Sequence, residues 1–94
     1  MTQYDLIDPE FYAWAASHGL QVYNWYHDGE VRSVFVTSPS GKKCQIWVDP
    51  STFSAFVINV WDYKKRKVEL RATKFDISKK LEEAYQTALS WLET

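Results

Sequence analysis

His18, His27 and Cys44 are the residues of this chain best suited to nucleophilic or metal chemistry; its 94 residues hold two histidines and one cysteine. Their spacing argues against both kinds of chemistry. A structural zinc site takes about four nitrogen or sulfur ligands, and here no second Cys or His stands at ligand spacing. A catalytic thiolate needs a neighbouring base and some exposure. Cys44 instead alternates with Ile46 and Val48 and reads as a small buried hydrophobe. His18 falls in the expected last turn of a helix, where an imidazolium suits the negative end of the dipole. His27 precedes Asp28-Gly29 at an expected hairpin tip.

The acids form no catalytic pair. Asp8 and Asp76 read as helix caps, Asp28 and Asp49 as turn residues, and Asp62 and Glu69 as partners for the basic residues between them. No phosphate-binding loop, dinucleotide fingerprint or nucleophile elbow is present. The expectation is therefore a non-enzymatic chain with no cofactor and no metal.

What stands out is the distribution of aromatic residues, which make up 17% of the chain. Read with period two, the middle of the chain collects two apolar faces. One holds Leu20, Val22, Tyr26, Val34, Val36, Cys44, Ile46, Val48, Phe56, Ile58, Val60, Val68, Leu70 and Ala72. The other holds Tyr23, Trp25, Phe35, Trp47, Val57, Trp61 and Tyr63. An antiparallel sheet needs only one apolar face to make a core. Burying one aromatic side chain removes roughly 150–250 Å² from water, so six of them left half exposed would make a patch on the order of 450–750 Å². That reaches or passes the largest patch of an ordinary monomer, about 300–600 Å². Gln21, Ser33, Lys43, Gln45, Asn59, Lys67, Glu69 and Arg71 share this face and are expected to form a polar rim.

The elements that must carry these residues are legible from punctuation and periodicity. Asp8-Pro9-Glu10 reads as a helix start, Phe11, Trp14, Ala15 and His18 follow at helical spacing, and Gly19 ends the run. Strands are expected over 20–27, 30–38, 42–48, 53–63 and 67–74. Asp28-Gly29, Pro39-Ser40-Gly41 and Asp49-Pro50-Ser51-Thr52 supply the first three turns. Lys64-Lys65-Arg66 lacks the Gly or Asn of a tight turn and predicts a longer loop or a bulge. Ile77, Leu81, Ala84, Tyr85, Ala88, Leu89 and Leu92 then form one apolar stripe of a C-terminal helix, capped by Asp76 or Ser78. Short connections favour antiparallel neighbours. The expected fold is a single α+β domain over 1–94, a five-stranded antiparallel meander with one helix at each end, in the order αβββββα. The C-terminal helix packs on the aliphatic face. If the first helix joins it there, the aromatic face stays open; if it crosses over, Phe11 and Trp14 cover part of that face.

Charge bounds the partner. The net charge is −1, but residues 42–80 carry ten bases and four acids between two acidic ends. Such a middle steers acidic partners or protects sheet edges. One cysteine excludes an intramolecular disulfide and fits a reducing compartment. No basic-apolar leader and no membrane-length apolar run is visible, so the expected location is the cytoplasm and no membrane partner is expected. The functional expectation is a small protein-binding module of inhibitor, immunity or adaptor type, or a homodimer. Its binding residues would be Tyr23, Trp25, Phe35, Trp47, Trp61, Tyr63, Lys67 and Arg71. The alternative is single-stranded nucleic acid stacked on the same aromatics, with the 64–67 loop on phosphates. No motif is specific enough to assign a family.

Overall fold

The computed structural model describes residues 3–52 and 55–93. A 3₁₀ turn, Gln3–Leu6, leads into α1 (Asp8–Ser17). Five strands follow: β1 (Tyr23–Tyr26), β2 (Gly29–Thr37), β3 (Lys43–Pro50), β4 (Ala55–Trp61) and β5 (Lys67–Thr73). The last element is α2 (Ile77–Leu92). The strands form one sheet in sequence order, and each pairs antiparallel with the next. This is the αβββββα meander expected from the pattern. Residues 53 and 54, the expected start of the fourth strand, lie outside the described residues.

Both helices pack on the aliphatic face. Phe11, Trp14 and Ala15 from α1 and Ile77, Leu81, Ala84 and Ala88 from α2 share one buried cluster with Val34, Val36, Cys44, Ile46, Val48, Phe56, Ile58 and Val60. Leu20, Val22, Val68 and Leu70 close its margin. Phe11 and Trp14 are therefore spent on the core. Among the described residues, neither helix crosses to the aromatic face.

Local chemistry explains the boundaries. Pro9 opens α1 at a position where its missing N–H is not needed. At the other end Gly19 adopts φ +66°, the amide of Gly19 donates to the Ala16 carbonyl, and that of Leu20 reaches back to Ala15 at 2.9 Å. These paired bonds satisfy carbonyls that the helix leaves open, in the left-handed ending that glycine permits.

Several local expectations are corrected. Asp8 is not the N-cap: Ile7 holds that position without a side-chain bond, and Asp8 is the first helical residue. Asp76 does occupy the N-cap of α2, but its carboxylate turns back to accept from the Thr73 amide at 2.7 Å and makes no cap bond. The first hairpin turn is one residue earlier than Asp28-Gly29. Tyr26 pairs with Gly29, and His27 takes the left-handed conformation at φ 54°, which His tolerates better than most non-glycine residues. β3 runs on through Asp49 and Pro50, which were expected in a turn. Pro50 is accommodated there because β2 pairs with β3 only as far as Trp47.

The loop after β4 is long, as its composition implied, and Asp62 organises it. Asp62 Oδ1 accepts from the amides of Lys64, Lys65 and Arg66 at 2.9, 3.1 and 3.0 Å, while Oδ2 accepts from Arg66 Nε at 2.9 Å. The Arg66 bond and the amide bonds together pull the Asp62 carboxyl down to about 2. Tyr63, within this loop, adopts φ 65° and is carried back over the aromatic face.

Candidate functional site

The rows of the sheet determine which side chains on the uncovered face are neighbours. Register places Phe35, Gln45, Trp61 and Lys67 in one row across β2 to β5. Tyr23, Ser33, Trp47, Asn59 and Glu69 form the next row, across all five strands. Thr37 and Lys43 flank these rows at one end, and Asp49, Val57 and Arg71 at the other. The result is a concave groove of about 560 Å³ lined chiefly by Tyr23, Trp25, Tyr26, Phe35, Trp47, Trp61 and Tyr63. Volumes of ~300–1,000 Å³ are usual for ligand and segment pockets.

The rings contact one another in a chain. Tyr23 meets Phe35 edge to face at 5.5 Å, Phe35 stacks at 6.3 Å with Tyr63, and Tyr63 lies 4.4 Å from Trp61. Lys43 Nζ sits over the Phe35 and Tyr63 rings at 5.2 and 5.0 Å, and Lys67 Nζ over Trp47 at 5.7 Å. Trp25 and Tyr26 stand out at the β1 margin, 62% and 66% exposed.

The floor is polar and internally satisfied. Asn59, 2% exposed, donates from Nδ2 to Asp49 Oδ2 at 3.0 Å. Trp47 Nε1 donates to the same oxygen at 3.2 Å. Gln45 Nε2 donates to Ser33 Oγ at 3.0 Å, and the Tyr63 hydroxyl donates to Gln45 Oε1 at 3.2 Å. These bonds hold Trp47, Gln45 and Tyr63 in set orientations. Ser33 and Asn59 are thus a buried floor and not the rim expected of them. Burial pushes the Tyr63 phenol up.

Six of the eight expected binding residues, Tyr23, Trp25, Phe35, Trp47, Trp61 and Tyr63, converge on the groove. Lys67 and Arg71 do not line it. They lie on the edge strand β5, where Lys67 Nζ also pairs with Glu69 at 3.3 Å. Tyr26, assigned to the core by strict alternation, lines the groove instead. A bulge lies beside it: between Tyr23↔Ser33 and Trp25↔Glu30 the register shifts by one residue, the extra residue falling on β2, and a bulge increases the local twist of the pair. Trp25 and Tyr26 both line the groove wall at this edge hairpin.

The same bulge adjoins a group that alternation did not reveal. Arg32, 5% exposed, bonds Asp8 with Nε at 2.7 Å and Nη2 at 2.9 Å, and Glu30 at 2.7 Å, and lies 4.6 Å from the centre of the Tyr4 ring. These carboxylates raise the already high Arg32 pKa. Tyr4 in turn donates to the Val48 carbonyl at 3.0 Å. The signal was present: Arg32 stands at the core-facing parity of Val34 and Val36, where only a paired charge is tolerated.

The groups with nucleophilic or metal potential are used elsewhere. Cys44 is fully buried beneath α2, its Sγ 3.9 Å from the Ala88 carbonyl, and burial pushes its thiol up. His18 Nε2 bonds Glu82 at 2.7 Å and stacks on Tyr85 at 3.7 Å, tying the end of α1 to α2. His27 is exposed at the hairpin tip beside Tyr26. Among the described residues, no three His, Cys, Asp or Glu side chains converge to hold a metal ion, and no helix is long and apolar enough to cross a membrane. No protein-family model, curated protein or solved structure matches this chain.

Proposed function

We propose that this chain is a non-catalytic protein-binding domain, of the inhibitor, immunity or adaptor kind, and that the aromatic groove of its sheet is the interface. The observation that carries this reading is the open groove itself: seven aromatic side chains line it, while both helices are committed to the opposite face. Tyr and Trp are the side chains that anchor protein interfaces most often. A satisfied polar floor beneath them means that a partner gains their contact area without stranding buried donors. The single buried thiol is consistent with a reducing compartment, and we place the protein in the cytoplasm on that ground.

Single-stranded nucleic acid has less support. Of the cations near the rings, Lys67 already pairs with Glu69, and Arg66 of the basic loop is bonded to Asp62 and to the Trp91 carbonyl. Asp49 puts a carboxylate on the groove, where a phosphate backbone would meet like charge.

The test compares the native chain with the W25A/Y26A double variant, both positions being too exposed to support the fold. The reading expects a protein, the chain itself included, that binds the native chain, is lost from the variant and is reconstituted from purified components. It fails if no protein behaves this way, and a mixed-sequence oligonucleotide that binds below ~100 μM, the range of ordinary non-specific contact, would then favour the alternative.

A further inference from the structure

Resting on that protein-binding reading, we infer that the occupant of the groove is a second copy of this chain, packed sheet to sheet about a two-fold axis that lies in the interface and runs across the strands, level with Ile46. The argument is charge complementarity of the face with itself. On β3, the central strand, Lys43, Gln45, Trp47 and Asp49 point to the open face in succession. Lys43 and Asp49 are equidistant from Ile46 and about 20 Å apart at the usual rise per residue.

The rotation carries each row onto a partner row. Lys43 of one copy comes over Asp49 of the other. The Phe35-Gln45-Trp61-Lys67 row comes over the row of Ser33, Trp47, Asn59 and Glu69. On the central strand the large Trp47 comes over the smaller Gln45, while Ser33 and Asn59 stay buried as the floor of each copy. Lys67 and Glu69, paired with each other within one chain, come over Glu69 and Lys67 of the second copy, so the four charges alternate in sign. Every one of these pairs occurs twice, as an isologous interface requires. An axis along the strands would instead stack Lys43 on Lys43 and Asp49 on Asp49, which like-charge repulsion disfavours. The sheets would cross at about 30°, as aligned sheets do, and the long Lys side chains reach across that offset. At a net charge of −1, two copies do not repel strongly.

Sedimentation equilibrium of the native chain, of K43E, of D49K and of an equimolar mixture of the two variants tests this. Expected are a native dimer, self-association weakened about tenfold or more in each variant, and recovery in the mixture, because each K43E copy then meets a D49K copy with opposite charges at both sites. K67E and E69K give the same mixing test at a second pair, should D49K disturb Asn59. A native chain that stays monomeric to ~1 mM, where association is only about −4 kcal/mol, overturns the inference. So does a native dimer that neither charge reversal weakens, or mixtures at both pairs no tighter than the single variants. Such a monomer would leave the broader reading intact if another protein depends on Trp25 and Tyr26; loss of both would be seen as a monomer with no such protein.

Discussion

Both faces of this sheet carry apolar side chains and use them differently. On one face Val34, Cys44, Ile46, Phe56, Ile58 and Val60 are sealed under two helices, with no polar side chain among them. On the other face Trp47, Trp61, Phe35 and Tyr63 stay partly open over a hydrogen-bonded floor of Ser33, Gln45, Asn59 and Asp49. The first face is filled with branched aliphatic side chains that pack without direction. The second is held by bonds that orient each ring. A core needs density; a docking surface needs its groups fixed before the partner arrives, so that little ordering entropy remains to be lost on binding.

That contrast can be broken by mutation, and the largest effect should come from the closed face. Phe56→Ala, at a fully buried position, should cost about 3–5 kcal/mol in urea unfolding, through lost transfer energy and a residual cavity. A cost as small as that of a surface residue would mean that the helices do not seal this face.

Next comes the ion network where the faces meet. Arg32→Ala removes the shared cation from Asp8 and Glu30, which are themselves partly exposed. The expected loss is about 3 kcal/mol, the low end for breaking a buried pair. Arg32→Lys should recover only part of it, because a point charge cannot make the forked contact with Asp8. Full recovery by lysine would show that charge alone, and not the fork, joins α1 to β2.

Acid sharpens the role of the loop that carries Tyr63 over the groove. Asp62 titrates near 2 in the folded chain, below its ordinary value of 3.8. Its contribution is therefore fully present above the ordinary carboxylate pKa and is lost as pH falls through about 2. Asp62→Asn should lower the melting temperature at neutral pH, and the gap between variant and native chain should narrow as pH falls below about 4, leaving only a small part at pH 2. An undiminished gap at pH 2 would assign the loop's order to packing instead.

The smallest stability effect belongs to the open face. Trp25→Ala should change unfolding free energy by no more than about 0.5 kcal/mol, yet it should weaken association through the groove. A large loss of stability would mean that Trp25 serves the monomer and not an interface.

The elements themselves were legible because each has a local cause. Gly19 ends α1 through its own backbone freedom, and the β3 and β4 faces follow from strict alternation of Cys44-Ile46-Val48 and Phe56-Ile58-Val60. The candidate site was legible to the extent that its strands are regular, which holds for Phe35, Trp47, Trp61 and Tyr23. Tyr26 was misplaced at an edge hairpin beside a bulge, which depends on how β1 and β2 twist together, and no local pattern encodes it. Asp8 and Asp76 have the residue types of caps, but their carboxylates found partners in Arg32 and Thr73. Competition of that kind is decided by what the fold brings near.

By itself the sequence determined the order of helices and strands, the antiparallel meander and the existence of a second, aromatic face, since these rest on period, punctuation and short connections. Only the tertiary structure decided that both helices share the aliphatic side, that Arg32 is buried between two acids, and that Asp49 joins Trp47 and Asn59 by hydrogen bonds. Those outcomes depend on distances between residues far apart in the chain. Among the described residues the aromatic face is open because Phe11 and Trp14 are buried with α2 on the aliphatic face.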